Sequence, residues 1–376
     1  MSRAVLFDPI AFDDIVGWGG DQLDGFLSAY RGSQNVLRED RPEWACALAG
    51  LADLPAATSC KDLRAEICRT FTPWLVRPDV EPGSIAAPAP HVAFTGYFEP
   101  ELKASWTRTA EFSVPLYRRP TNLIDRVEAT DRAADPAAFT HFLRASDGSL
   151  SAPPTRAAIE TGALDGADLE LCYLADPVDA FVLHVQGSGQ LAFGDGSRLR
   201  VGYDGKNGHP YQSIGQEMIH RGLVPADQMT LDRMCEELRR SSPAERSALM
   251  QHNRSFIFFR ELVGQDRPQG ARGIGLHVER SLAVDVRFHV LGQPMFVSVP
   301  NLQPALEATA DVSGFQRLMV AHDVGSAIRG SVRGDIFFGS GASAGRRAGT
   351  VRHPGTLIAL YPRGVDPRDV KEGSHV

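Results

Sequence analysis

Cysteine is scarce in this chain: five occur among 376 residues (Cys46, Cys60, Cys68, Cys172 and Cys235), and no two form a Cys-x-x-Cys pair. That spacing excludes a zinc ribbon and a thioredoxin-type redox centre. The eleven histidines are scattered without a His-x-x-x-His pair, so no metal site is expected. Three cysteines fall within the first 70 residues, which leaves room for one disulfide in an oxidising compartment, and the odd total leaves a free thiol. No stretch approaches the roughly 18–20 apolar residues that span a bilayer. An excess of positive charge is missing too: the net charge is −7, so no nucleic-acid partner is expected. The Gly187-Ser-Gly189 segment does not extend to a Gly-x-Gly-x-x-Gly fingerprint, and no Gly-Lys-Ser/Thr occurs, so no cofactor is expected. In Met1–Ile10 one arginine precedes a short apolar run that Asp8 and Pro9 break, which does not read as a signal peptide. The expectation is a soluble chain, or one whose export signal lies outside this sequence.

What is present is ordinary for a globular protein, with 43% hydrophobic and 23% charged residues. The length suits two domains at roughly 100–200 residues each. Residues 12–50 read as helical, with Leu23, Phe26, Leu27 and Tyr30 spaced for one helix face, and Cys60–Phe71 reads as a further helix. Residues 77–90 form a Pro/Gly/Ala connection. In His91–Pro100, a β-type run broken by Gly96, residues Thr95, Tyr97 and Glu99 share one face. Thr155 caps a helix over Arg156–Gly162. Ala180–Val185 reads as a strand ending in a small polar loop, Gln186–Gln190, followed by a hairpin turning at Gly194–Ser197. Three helices follow, over Ser213–Arg221, Met229–Ser241 and Pro243–Gln251. From Ser255 to about residue 365, short strands read as a compact β-barrel, with two strand pieces around Gly292.

Two carboxylates stand out in the C-terminal third. Asp323 follows the apolar run Leu318–Ala321, and Asp335 precedes Ile336-Phe-Phe338; both runs read as buried strands. A carboxylate beside such runs is expensive to desolvate unless it is paired or protonated, which is the profile of a general acid. Either aspartate also suits a turn or a cap.

Five ordered blocks carry a resemblance. They are Phe94-Thr-Gly-Tyr-Phe-Glu-Pro, His184-Val-Gln-Gly-Ser-Gly, Asn253-Arg-Ser-Phe-Ile-Phe-Phe, Ala283-Val-Asp285, and Ala321-His-Asp-Val-Gly-Ser-Ala-Ile-Arg-Gly with Asp335-Ile-Phe-Phe-Gly. Together they resemble the membrane-bound lytic murein transglycosylase A (MltA) family, and Asp285, Asp323 and Asp335 resemble the aspartates of its C-terminal 3D region. The resemblance implies a mainly β fold with peripheral helices: a double-psi β-barrel plus an inserted second β domain, with a substrate groove between them. The expected domains are 1–99 (helices and the first part of the barrel), 100–254 (the insert) and 255–376 (the rest of the barrel).

The implied reaction is exolytic cleavage of the β-1,4 bond between N-acetylmuramic acid and N-acetylglucosamine, a carbon–oxygen lyase reaction leaving a 1,6-anhydromuramic end. One acid/base serves where ordinary glycosidases need two carboxylates, because the attacking hydroxyl belongs to the same sugar. Asp335 matches the family's catalytic position. Asp323 orients backbone amides or the acid, and Asp285 is structural. Nearby Phe337 or Phe338 and the charge of Asp323 favour the acid form of Asp335, while Arg329 and Arg333 push against it. Thr95, Tyr97, Gln186, Ser188, Ser255 and Arg329 are the expected substrate contacts, with Tyr97 stacking on a sugar face. The implied partners are peptidoglycan glycan strands and cell-wall synthesis or division complexes, the implied state a monomer, and the implied location the cell envelope, periplasmic or at the outer membrane. The rival from another class is an expansin-like, non-catalytic wall-binding protein.

Overall fold

The computed structural model describes residues 7–78, 94–125, 140–300, 302 and 314–370. From residue 79 on, the expected Pro/Gly/Ala connection lies outside them, as does the start of the run at His91. In chain order the strands are β1 (Phe7–Pro9), β2 (Phe71–Val76), β3 (Phe94–Glu99), β4 (Glu101–Ser105), β5 (Val114–Tyr117), β6 (Leu123–Asp125), β7 (His141–Arg144), β8 (Leu150–Ser151) and β9 (Glu170–Leu174). They continue as β10 (Ser188–Phe193), β11 (Arg198–Lys206), β12 (Ile257–Glu261), β13 (Ser281–Val284), β14 (Pro294–Val299), β15 (Phe315–Asp323), β16 (Gly334–Ser340), β17 (Arg352–His353) and β18 (Thr356–Pro362). The chain divides into two units, one of Met1–Tyr97, Gln269–Gly339 and Thr350–Val376, the other of Phe98–Pro268 and Ser340–Gly349.

The first unit is built on a nine-stranded sheet in the order β1-β2-β18-β14-β15-β13-β16-β3-β17. Its central strands read as continuous apolar runs because both faces are covered: Leu318, Met319, Val320 and Ala321 of β15 are all fully buried. The mainly β expectation with peripheral helices holds. Closure does not: β1 and β17 are sheet edges, and no pairing among the described residues joins them, so the sheet is open rather than a closed barrel. Around Gly292 the chain makes a turn (φ +85°), and only Pro294–Val299 becomes strand, correcting the expected two pieces. Helices Phe26–Gly32, Gln34–Asp40, Pro42–Ala52 and Cys60–Thr70 complete the unit. Ser59 caps the last of them, accepting from the Asp62 amide.

The second unit holds a six-stranded sheet in the order β12-β11-β10-β4-β9-β5 and a small sheet β6-β7-β8. Its hairpin β10–β11 turns where the sequence placed it. Thr155 caps Arg156–Glu160 by accepting from the Ala158 amide. Ala180–Val185, however, is helix, not strand, within Pro177–Gln186. Asp176 caps it by accepting from the Val178 amide, Pro177 opens the first turn, and Gly187 closes it at φ +77°, three boundary signals that outweigh the apolar run. The expected polar loop at Gln186–Gln190 is accordingly the helix end plus the start of β10.

Gly341–Thr350 is also helical, where turns were expected. A Cβ at Gly345 would lie 2.8 Å from the Phe98 ring, so its glycines serve close packing. Cys60, Cys68, Cys172 and Cys235 are free thiols.

Candidate active site

The first unit gathers four side-chain positions in a row across four strands. Ala283 on β13 is opposite Asp335 in the antiparallel pairing with β16, and opposite Asp323 in the parallel pairing with β15. Paired residues point to one face of a sheet, and adjacent strands lie about 4.8 Å apart. The two carboxylates therefore flank one small residue on the same face. A register shift between Leu282 and Ala283 on β13 sets this alignment against β15. Thr95 extends the row on β3, next to β16: its hydroxyl donates to Asp335 Oδ1 at 2.5 Å. Tyr97, Leu276, Ala283, Ile328 and Phe337 form an apolar cluster at this site.

Both aspartates keep partial solvent access, yet protein crowds them on most sides. Burial pushes Asp323 up to about 7; the charge of Asp335 adds to this, while the Val324 amide, Tyr97 and the Ala271 amide oppose it. The Val324 N–H donates to Asp323 Oδ1 at 2.8 Å. Burial likewise raises Asp335, against the pull of the Arg333 guanidinium and the Thr95 hydroxyl. Two neighbouring carboxyls so placed titrate as a coupled pair, and burial favours the protonated form of each. Such a group can donate a proton and take one back.

Asp285 behaves differently. Burial works to raise it, but Arg287 pairs with both of its oxygens and the Gly330 amide donates to Oδ2 at 2.9 Å, which together hold it below the usual carboxylate range. It stays ionised and pins the turn that carries Ile328 and Arg329.

The expected contact residues fall in distinct environments. Tyr97 is buried and packs on Phe337 with ring centroids 5.2 Å apart, so its ring is not a free sugar platform. Its hydroxyl lies beside Asp323 without forming a well-aligned hydrogen bond, and burial raises it well above the ordinary phenol range. Arg329 is exposed. In the second unit, Gln186 Oε1 accepts from the Phe98 amide at 2.9 Å, Ser188 opens β10 and is buried, and Ser255 is buried with its carbonyl accepting from Arg156 Nη2 at 2.8 Å.

His322 is fully buried, bonded through Nδ1 to the Ser281 hydroxyl at 2.7 Å, and pushed down to about 3 by burial and by His277, so it is a neutral core residue. Trp44 is core, and Trp106 is half-exposed, stacked on Phe193 at 3.7 Å.

Arg333, expected to push against the acid form of Asp335, does so, and its Nη2 also donates to the Thr95 hydroxyl at 2.7 Å, a contact the sequence did not suggest. Sequence reasoning missed Gly270: a Cβ there would meet the His322 carbonyl oxygen at 2.5 Å and Asp323 Cγ at 3.0 Å. No local pattern marks that approach.

Comparison with known proteins identifies the family. Residues 93–260 match the MltA specific insert domain, and residues 280–361 match the 3D domain. The chain is 36% identical over 277 residues to membrane-bound lytic murein transglycosylase A of Escherichia coli K12, covering 72% of this chain and 66% of that protein. Among solved structures, a membrane-bound lytic murein transglycosylase from Agrobacterium tumefaciens matches with a TM-score of 0.83 and 33% identity, covering 95% of this chain and 98% of that one. Escherichia coli MltA with bound chitohexaose matches with a TM-score of 0.65 and 29% identity, covering 89% and 90%. Among the described residues of this chain, no helix is long and apolar enough to cross a membrane.

Proposed function

Because the chain belongs to the MltA family, we propose that it is a lytic transglycosylase that cleaves the β-1,4 bond between N-acetylmuramic acid and N-acetylglucosamine in peptidoglycan. The observation that carries this reading is the row Thr95–Asp335–Ala283–Asp323, in which burial favours the protonated form of both carboxyls. Asp335 gives its proton to the glycosidic oxygen as the bond from C1 breaks. The C6 hydroxyl of the same muramic residue then bonds to C1, and Asp335 takes its proton. No water is consumed, the product is a 1,6-anhydro ring, and the acid is regenerated. Intramolecular attack supplies the proximity that a second carboxylate and a positioned water supply in hydrolases. Asp323 supports the acid electrostatically and Asp285 fixes the neighbouring turn. Arg329, exposed on that turn, suits the anionic groups of the polymer. The site of action is the cell envelope, where the polymer is.

The test is digestion of isolated peptidoglycan by the purified protein, with products identified by mass spectrometry. Anhydromuropeptides are expected, and Asp335→Asn should lower turnover at least a hundredfold while leaving the fold intact. Reducing ends would mean a conventional hydrolase. Binding to sacculi without cleavage would mean an expansin-like wall-binding protein.

A further inference from the structure

We propose that Arg333 is a positioning residue for the acid: by donating to the Thr95 hydroxyl it directs that hydroxyl's one proton onto Asp335 Oδ1, leaving Oδ2 as the oxygen that exchanges its proton with substrate. The inference rests on the reading of Asp335 as the acid/base.

The argument is one of donor and acceptor capacity. A guanidinium has donors only, whereas a threonine hydroxyl has one proton and two lone pairs. Arg333 Nη2 lies 2.7 Å from Thr95 Oγ1, so Thr95 must accept there. The other Thr95 contact is Asp335 Oδ1 at 2.5 Å, and the hydroxyl proton is directed to it. Arg333 is itself held, since Nη1 donates to the Gly334 carbonyl. Oδ1 is thus an acceptor in both protonation states, and the transferable proton sits on Oδ2. When Asp335 releases that proton, the charge left behind already has an oriented donor and a nearby cation, which stabilise it without reorganisation. Burial favours the protonated acid, while Arg333 and Thr95 favour release of its proton. Among the described residues, the other ionisable groups facing Asp335 are Asp323, across Ala283, and the Tyr97 hydroxyl. Both stay constant in the comparison below.

The experiment measures pH profiles of kcat and kcat/KM on isolated peptidoglycan for the full chain. The variants are Arg333→Met, Arg333→Gln and Thr95→Val, together with Arg333→Met and Arg333→Gln each combined with Thr95→Val. Arg333→Met should lower plateau kcat roughly tenfold or more with little change in KM. It should also move the alkaline limb of kcat/KM to higher pH, because a cation beside the acid is gone. Arg333→Gln keeps a donor for Thr95 but not the charge, so it should retain more of kcat and still shift the limb. In the Thr95→Val background, Arg333→Met should cost far less kcat than in the wild type. Equal losses in both backgrounds, or an unmoved alkaline limb, would overturn the role given to Arg333. If Arg333→Met does not fold, Arg333→Gln supplies the limb shift and its own cycle with Thr95→Val. Full turnover in Asp335→Asn would instead overturn the acid assignment, so the two failures are distinguishable.

Discussion

Two protein-crowded carboxylate sites in the first unit make the same demand on the fold and receive opposite answers. Asp21 is fully buried and grips Arg280 through both oxygens, at 2.6 and 2.8 Å, while accepting from the Leu318 and Leu23 amides at 2.7 and 3.0 Å. Burial works to raise it, but the guanidinium and the amides prevail and hold it below the usual range. Asp323 ends β15, the strand whose Leu318 amide Asp21 accepts from; it has one amide hydrogen bond of good geometry and another carboxylate as its neighbour, and it is pushed up to about 7. The difference is in the partners, since both are crowded by protein. A fully compensated carboxylate ties elements together; an undercompensated one keeps a proton that chemistry can use.

The largest expected effect breaks the compensated site. Asp21→Ala leaves Arg280 buried without its partner, and unpairing a buried ion pair costs roughly 3–5 kcal/mol. Urea unfolding should show that loss. A change under about 1 kcal/mol would mean that the pair does not anchor β15, and the contrast with Asp323 would collapse. Next in size is Gly270→Ala. The added methyl group would sit 2.5 Å from the His322 carbonyl oxygen and 3.0 Å from Asp323 Cγ, so the loop or the carboxyl must move. Overpacking of this kind costs roughly 1–3 kcal/mol. Turnover should fall more than stability alone explains, and a Gly270→Ala enzyme with wild-type kcat would show that the Asp323 carboxyl tolerates displacement.

These sites differ in how far the sequence exposes them. The runs Leu318–Ala321 and Ile336–Phe338 are legible as buried strands because each is short, apolar and bounded by polar or glycine residues. Asp323 and Asp335 are legible as costly to desolvate for the same reason. What is not legible is non-local. Ala283 is the register partner of both aspartates only because β13 pairs in parallel with β15 and antiparallel with β16, a topology no local window encodes. Gly270 approaches Asp323 from 53 residues away along the chain, and its glycine-rich surroundings read as an ordinary loop. Ala180–Val185 fails for another reason: a short apolar run has no periodicity of its own, and its caps, Asp176 and Gly187, had to decide. Gly341–Thr350 is the reverse case, a helix whose glycines lower its intrinsic preference.

The smallest expected effect sharpens the contrast through pH. Asp323 has a folded-state value of about 7, above the ordinary carboxylate value of 3.8. The folded protein therefore binds this proton more tightly than the unfolded chain does. Its contribution to stability is complete below about pH 4 and is lost as pH rises through about 7. Asp21 has the opposite sign: its contribution is present above about pH 4 and is lost as pH falls through its lowered folded value. Asp323→Asn removes an ionisation without removing the bulk of the side chain. Between pH 5 and 8, its urea midpoint should therefore fall less than that of the wild type. The gap should be modest, because Asp323 retains partial solvent access and shares its titration with Asp335. If both proteins lose stability in parallel over that range, Asp323 is as well compensated as Asp21, and its place beside the acid must be explained by geometry alone.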